Sequence, residues 1–187
     1  MKIIKNNQEN LTIINKSKFI GIIKKVSSYE EVTTILNSIK TKYPDATHIC
    51  YGYILPNIEK YNDDGEPLGT AGLPILDVLK KNELCHVLAI VVRYFGGIKL
   101  GSNGLIRAYS NSISNLIKDN IKDSETGYLI EINESYDKND LINYLLKNSE
   151  IITKDYQDKI FIKALVNKKT LDSLSNVNYK IIEEKII

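Results

Sequence analysis

A chain of 187 residues, 43% of them hydrophobic, can bury one large core or two small ones, which excludes wholesale disorder. Its net charge of +2 excludes a global field for polyanions. The stretch to Ile117 carries 14 Lys+Arg against 10 Asp+Glu and the remainder 11 against 13, so only a local basic patch can draw nucleic acid.

Two cysteines, Cys50 and Cys85, argue against a disulfide framework. The opening MKIIKNNQEN lacks the apolar segment of an export signal. No run approaches the roughly 18 apolar residues of a membrane span. The expectation is a cytoplasmic protein with no membrane segment. Lysine outnumbers arginine 23 to 2, which makes Arg93 and Arg107 conspicuous, because a guanidinium offers a planar fork of donors that lysine lacks. Each suits a structural tether to a carboxylate as well as it suits a ligand contact.

In chain order, Leu11–Asn15 and Phe19–Val26 read as strands around a turn. Ser28-x-x-Glu31 is a capping box opening a helix with Val32, Ile35, Leu36, Ile39 and Tyr43 as its stripe, stopped at Pro44. Thr47–Leu55 alternates as a strand, Ile49, Tyr51, Tyr53 and Leu55 on one face and His48, Cys50, Gly52 and Ile54 on the other. Pro56 to Pro67 reads as a long exposed loop. A helix is expected from about Thr70, its N-cap, with Pro74 in the first turn and Asn82 at the end. Val87–Val92 is short, β-branched and wholly apolar, the pattern of a central strand covered on both faces. A further helix from about Ser102 carries Leu105, Tyr109, Ile113 and Leu116 inward.

Beyond Lys118 there is no proline and one glycine, Gly127. Tyr128–Asn133 reads as a strand, and Asp137 as the cap of a helix through Asn148 with Leu141, Tyr144 and Leu145 inward. Ile151–Tyr156 and Ile160–Val166 form a hairpin around Gln157-Asp158. A short helix at Lys168–Ser175 and a strand at Asn178–Ile186 follow. That β-α-β-β-α-β order predicts a ferredoxin-like arrangement. The expected fold class is therefore α+β with two domains, 1–120 and 121–187, divided near residues 118–124.

Seven of the ten glycines lie between Asn62 and Tyr109. Asp63, Asp64, Gly65, Glu66, Gly69, Thr70 and Gly72 form one segment before a helix, where free backbone N–H groups can receive a phosphate or carboxylate. A tight turn capped by its own acidic residues explains the same letters. The segment is neither a Walker loop nor a dinucleotide fingerprint. A hard metal ion on Asp63, Asp64 and Glu66 needs further ligands, and no metal or other cofactor is expected. The second segment holds Arg93, Tyr94, Gly96, Gly97, Lys99, Gly101 and Gly104, again between a strand end and a helix start, with Arg107 one turn on. Tyr94 and Phe95 suit base stacking beside these cations, or packing beneath the loop. His48-x-Cys50 and Cys85-His86 fit no zinc spacing, and no orienting third residue supports a Cys–His nucleophile.

DDGEPLGTAGLP, followed by VVRYFGGIKLGSNGLIRAY at Val91–Tyr109, resembles the signature of the YigZ/Impact family. Lys16-Ser17-Lys18-Phe19-Ile20 and Ala46-Thr47-His48-Ile49-Cys50 resemble two earlier stretches of that family. Ser102-Asn103 departs from its pattern, which has a small residue or glycine there. The resemblance implies an N-terminal domain folded like the second domain of a small-subunit ribosomal protein, as in elongation factor G. It implies a ferredoxin-like tail, and a non-catalytic binding role in translation whose partners are RNA, the ribosome or a translation-associated protein. The competing expectation is an enzyme on a small phosphorylated or carboxylated substrate, using Asp63, Asp64, Glu66 or His48 with Arg93 and Arg107. A deep pocket joining both glycine segments favours the enzyme, and a broad shallow groove the binder.

Overall fold

The computed structural model describes residues 1–135, 139–156, 158–174 and 177–187. From the N-terminus come β1 (Lys2–Ile4), β2 (Gln8–Ile14), β3 (Ser17–Lys25), α1 (Tyr29–Lys42), β4 (His48–Leu55) and β5 (Ile58–Asn62). Then follow α2 (Gly72–Lys81), β6 (Val87–Tyr94), α3 (Gly101–Ile117) and β7 (Ile121–Asp123). The chain divides into two compact units, Met1–Asp123 and Ser124–Ile187.

In the first unit five strands form an antiparallel sheet in the order β2-β3-β6-β4-β5. Its centre is β6, buried from Val87 through Arg93. Alternation along β6 sends Leu88, Ile90 and Val92 into one core and Val87, Ala89 and Val91 into the other. α1 covers the first core with Val32 and Ile39, whereas α2 and α3 cover the second with Ile75, Leu79, Tyr109 and Ile113. Each fully buried aliphatic side chain here is worth about 1.5–3 kcal/mol. β4 divides its faces as its alternation predicts, with Ile49, Tyr53 and Leu55 toward α1 and Cys50 and Ile54 toward the helix pair.

The Ser28 hydroxyl accepts the Glu31 N–H at 3.2 Å, so the predicted cap opens α1. Asn15 and Lys16 both have positive φ and turn β2 into β3. Two expectations are corrected and one strand is added. Residues 56–67 are not one long loop, because Ile58–Asn62 pairs with β4 as the edge strand β5. Every β5 residue is exposed, so the segment has no apolar alternation to betray it. The N-terminal stretch contributes β1, which pairs with β7 and buries Ile3 and Ile4. Thr70 does not cap α2, which starts two residues later with Ala71 at its N-cap; the Thr70 hydroxyl donates instead to the Pro67 carbonyl at 2.6 Å.

The second unit comprises β8 (Thr126–Glu134), α4 (Asn139–Asn148), β9 (Glu150–Tyr156), β10 (Ile160–Asn167), α5 (Lys168–Asp172) and β11 (Tyr179–Ile186). Its antiparallel sheet runs β11-β8-β10-β9. Ile130, Ile132, Ile160, Ile162 and Val166 make its buried face with Leu145 and Leu171. Tyr144 departs from expectation: it is 37% exposed, and its hydroxyl accepts from Ser173 at the surface. The cap at Asp137, the Leu141 side chain, Gln157 in the hairpin turn and the helix end at Ser175 fall outside the described residues. No helix among the described residues is long and apolar enough to cross a membrane.

Candidate functional site

Arg93 is the seventh residue of β6, so the alternation that buries Val91 on the α2/α3 side carries its guanidinium there too. In register it lies between Phe19 on β3 and His48 on β4. Arg93 is only 4% exposed, and its guanidinium stands 5.3 Å from the Phe19 ring and 5.5 Å from that of Phe95.

The buried charge needs an anion, and Glu66 supplies it. Arg93 donates to Glu66 Oε1 at 2.5 Å, and the Tyr109 hydroxyl of α3 donates to the same oxygen at 2.7 Å. His48 Nε2 is 3.9 Å from that atom. The other ring nitrogen, Nδ1, lies 2.7 Å from the Asp64 carbonyl, which only accepts, so Nδ1 carries the proton. The Cys50 thiol donates to the Asp63 carbonyl at 3.0 Å and lies 3.5 Å from the Tyr109 hydroxyl. Burial, reinforced by the nearby carboxylates, pushes Cys50 up to about 12. Burial likewise holds the Tyr109 phenol above its ordinary range. Neither group ionises near neutral pH.

The acidic residues of the first glycine segment are engaged in structure. Asp63 Oδ1 accepts from the N–H groups of Ala71 and Gly72, and Oδ2 from Gly69. The start of α2 thus already holds a carboxylate, supplied from outside the helix. Asp64 accepts the Ile49 N–H at 2.6 Å and ties the segment to β4. Gly65 and Gly69 have positive φ. At Gly72 a β-carbon would run into the backbone of Asn62, so only glycine allows α2 to start against β5.

The second segment is built differently. Gly96 packs against the Lys16–Ser17 backbone where a β-carbon has no room, and its N–H donates to the Ser17 hydroxyl. Phe95 N–H donates to the Thr47 hydroxyl. Gly97 and Gly101 have positive φ, and Gly104 sits over Leu100. α3 then opens at Gly101 with no side-chain cap and no acidic residue in its first turn. Of the aromatic pair, Tyr94 packs against the α1-side core, and Phe95 stays 47% exposed above Arg93.

Between the two segments lies a cavity of about 430 Å³. Glu66 and Pro67 come from the first segment, Arg93, Phe95, Lys99 and Leu100 from the second, and Gly101, Ser102 and Leu105 from α3; Thr47 and His48 complete its lining. Arg93 lines this cavity, and its buried Nε–H has no hydrogen-bond partner among the described residues. Arg107 does not line it. That side chain is exposed on α3, with its Nε–H donating to the Asn103 carbonyl one turn back, so the two arginines do not converge on this cavity. Sequence reasoning missed Tyr109 as a partner of Glu66, reading it only as a core position. The available signal was its hydroxyl: a tyrosine on a buried helix stripe requires a polar neighbour.

The Impact N-terminal domain family matches residues 15–117. The IMPACT family member YvyE of Bacillus subtilis (strain 168) is 36% identical over 178 residues, spanning 92% of this chain and 82% of that protein. The IMPACT family member YigZ of Escherichia coli (strain K12) is 32% identical over 161 residues, 81% and 78% of the two chains. A crystal structure of a hypothetical protein superposes with a TM-score of 0.62 at 27% identity, covering 98% of each chain.

Proposed function

This chain belongs to the IMPACT family, and on that footing we propose that it is a cytoplasmic, non-catalytic regulatory module of translation. It contacts RNA, the ribosome or a translation-associated protein through the face around the 430 Å³ cavity. Its first unit takes the ribosomal-protein and elongation-factor fold, and its second, with strand order β11-β8-β10-β9, the ferredoxin-like one. One observation carries the choice of binding over chemistry. Glu66, the one carboxylate among the described residues that line the cavity, has one oxygen held by both Arg93 and Tyr109, so it is occupied as a counter-ion. Cys50, the nearest thiol, is buried and protonated.

The test is capture of ribosomal subunits and total RNA by the purified protein across a salt series. The exposed pair Lys99→Glu/Arg107→Glu is the control, because Arg93 is buried and its loss confounds folding with binding. Saturable capture that weakens with salt and falls in the control supports the reading. No capture at low salt overturns it.

A second reading, an enzyme on a small phosphorylated or carboxylated substrate, draws on the cavity's joining of both glycine segments, with His48 Nε2 at its wall. Of its proposed acid/base groups, Asp63 and Asp64 are occupied by backbone N–H groups and Glu66 by Arg93 and Tyr109, which leaves His48 to act. Turnover of a phosphate monoester that disappears in His48→Gln supports this reading, and absence of turnover removes it.

A further inference from the structure

We infer that the cavity is a receptor for a phosphate monoester carried on a flat or apolar group. The inference rests on the reading that this face is the contact surface, and it names the chemistry that face recognises. Two observations meet in the cavity. The first is the start of α3, a 17-residue helix whose opening N–H groups receive no side-chain cap and no acidic neighbour in the first turn. Such an end carries roughly half a positive charge. The second is Arg93, nine-tenths buried, with one N–H bonded to Glu66 and its Nε–H without a partner. Lys99 adds a second full positive charge at the rim.

Charge decides the ligand's sign. Two cations and a helix end face one carboxylate, which is itself held by two donors. The remaining field favours an anion. Geometry favours phosphate over carboxylate, because a tetrahedral group offers oxygens to the helix end and to Lys99 on the loop at once, above the buried positive charge of Arg93. The rest of the lining is largely apolar, with Pro67, Phe95, Leu100 and Leu105 beside these charges. At about 430 Å³ the space falls within the range of small-molecule sites, larger than a bare ion needs. A nucleoside 5′-monophosphate has the required shape, whether free or as the 5′ end of an RNA chain.

The experiment titrates the full chain by calorimetry with adenosine 5′-monophosphate, adenosine and benzoate, and with one RNA hexamer bearing either a 5′-phosphate or a 5′-hydroxyl. The decisive variant is Ser102→Glu, which places a carboxylate at the α3 start as Asp63 does at α2. It is expected to melt at or above the parent's temperature, since an acid there suits the helix, while affinity for the monophosphate falls at least about tenfold. Lys99→Ala is expected to weaken it by roughly three- to tenfold. Adenosine and benzoate should bind at least about tenfold more weakly than the monophosphate. A phosphorylated hexamer that outbinds the free nucleotide identifies an RNA end as the source, and equal affinity identifies a small molecule. Adenosine matching the monophosphate, a folded Ser102→Glu variant binding like the parent, or no heat at about 10 mM monophosphate each overturns the inference. Ribosome capture without monophosphate binding defeats this inference alone. Monophosphate binding without capture defeats only the role in translation.

Discussion

The two glycine segments share a local plan and differ in what stands at the helix start. Each ends in a helix without a side-chain bond from its own N-cap residue, Ala71 for α2 and Leu100 for α3. At α2 Asp63 reaches across the loop and takes three N–H groups on its two oxygens. At α3 no acidic side chain among the described residues does this, and a cavity opens instead. The same pattern of turn and helix is thus a closed joint in one place and a receptive surface in the other. A glycine-rich approach to a helix supplies donors, and whether they remain available depends on a residue elsewhere in the fold.

The largest expected effect breaks the boundary between the two segments. Arg93→Ala leaves Glu66 buried without its counter-ion and should lower stability by about 3–5 kcal/mol in urea melts. Arg107→Ala, on the exposed face of α3, should stay within about 0.5 kcal/mol of the parent. Equal effects would show that the buried pair is not what joins the segments. Asp63→Ala strips the closed joint of its internal anion and should cost about 2 kcal/mol, read in the same melts. If added phosphate then restores part of the loss, the two helix starts have been made alike.

Alkaline pH probes the same joint through Cys50. Its folded value, about 12, lies above its ordinary 9.0, so the unfolded chain releases the proton first. The stabilisation is complete below about 9 and is lost as pH rises toward 12, at about 1.4 kcal/mol per pH unit. Cys50→Ser, which does not titrate there, should flatten that limb of the stability curve measured by denaturant midpoints. An unchanged limb would mean that another group governs alkaline unfolding. The smallest effect is at the open start: Ser102→Glu should add about 0.5 kcal/mol. A loss of stability there would mean the opening N–H groups of α3 are already satisfied.

Much of the first unit was legible because its signals are local. Ser28 and Glu31 announce α1 across three residues, the apolar run of β6 marks the centre of the sheet, and the alternation of β4 separates its faces correctly. The parts that stayed hidden depend on partners far along the chain. β5 is exposed on both sides and is a strand only because β4 lies beside it. Glu66 meets Arg93 across 27 residues and Tyr109 across 43, so no window of sequence shows that the three share a site. The glycine segments located the region. Which donors in it stay available was a matter of tertiary geometry, as the separation of Arg93 from Arg107 also shows.

The pairing of β1 with β7, Lys2 opposite Asp123, has a consequence for how the protein is made. Synthesis is vectorial, and β1 leaves the ribosome ahead of the five-stranded sheet, whereas residues 121–123 emerge only after the whole of that sheet has been translated. Ile3 and Ile4, buried in the finished fold, therefore wait through nearly the entire first unit without their partner strand. Residues 83 and 85 can hold Lys2 by its backbone beforehand, but the strand is closed only when β7 arrives, like a clasp whose two halves are made at opposite ends of the strap.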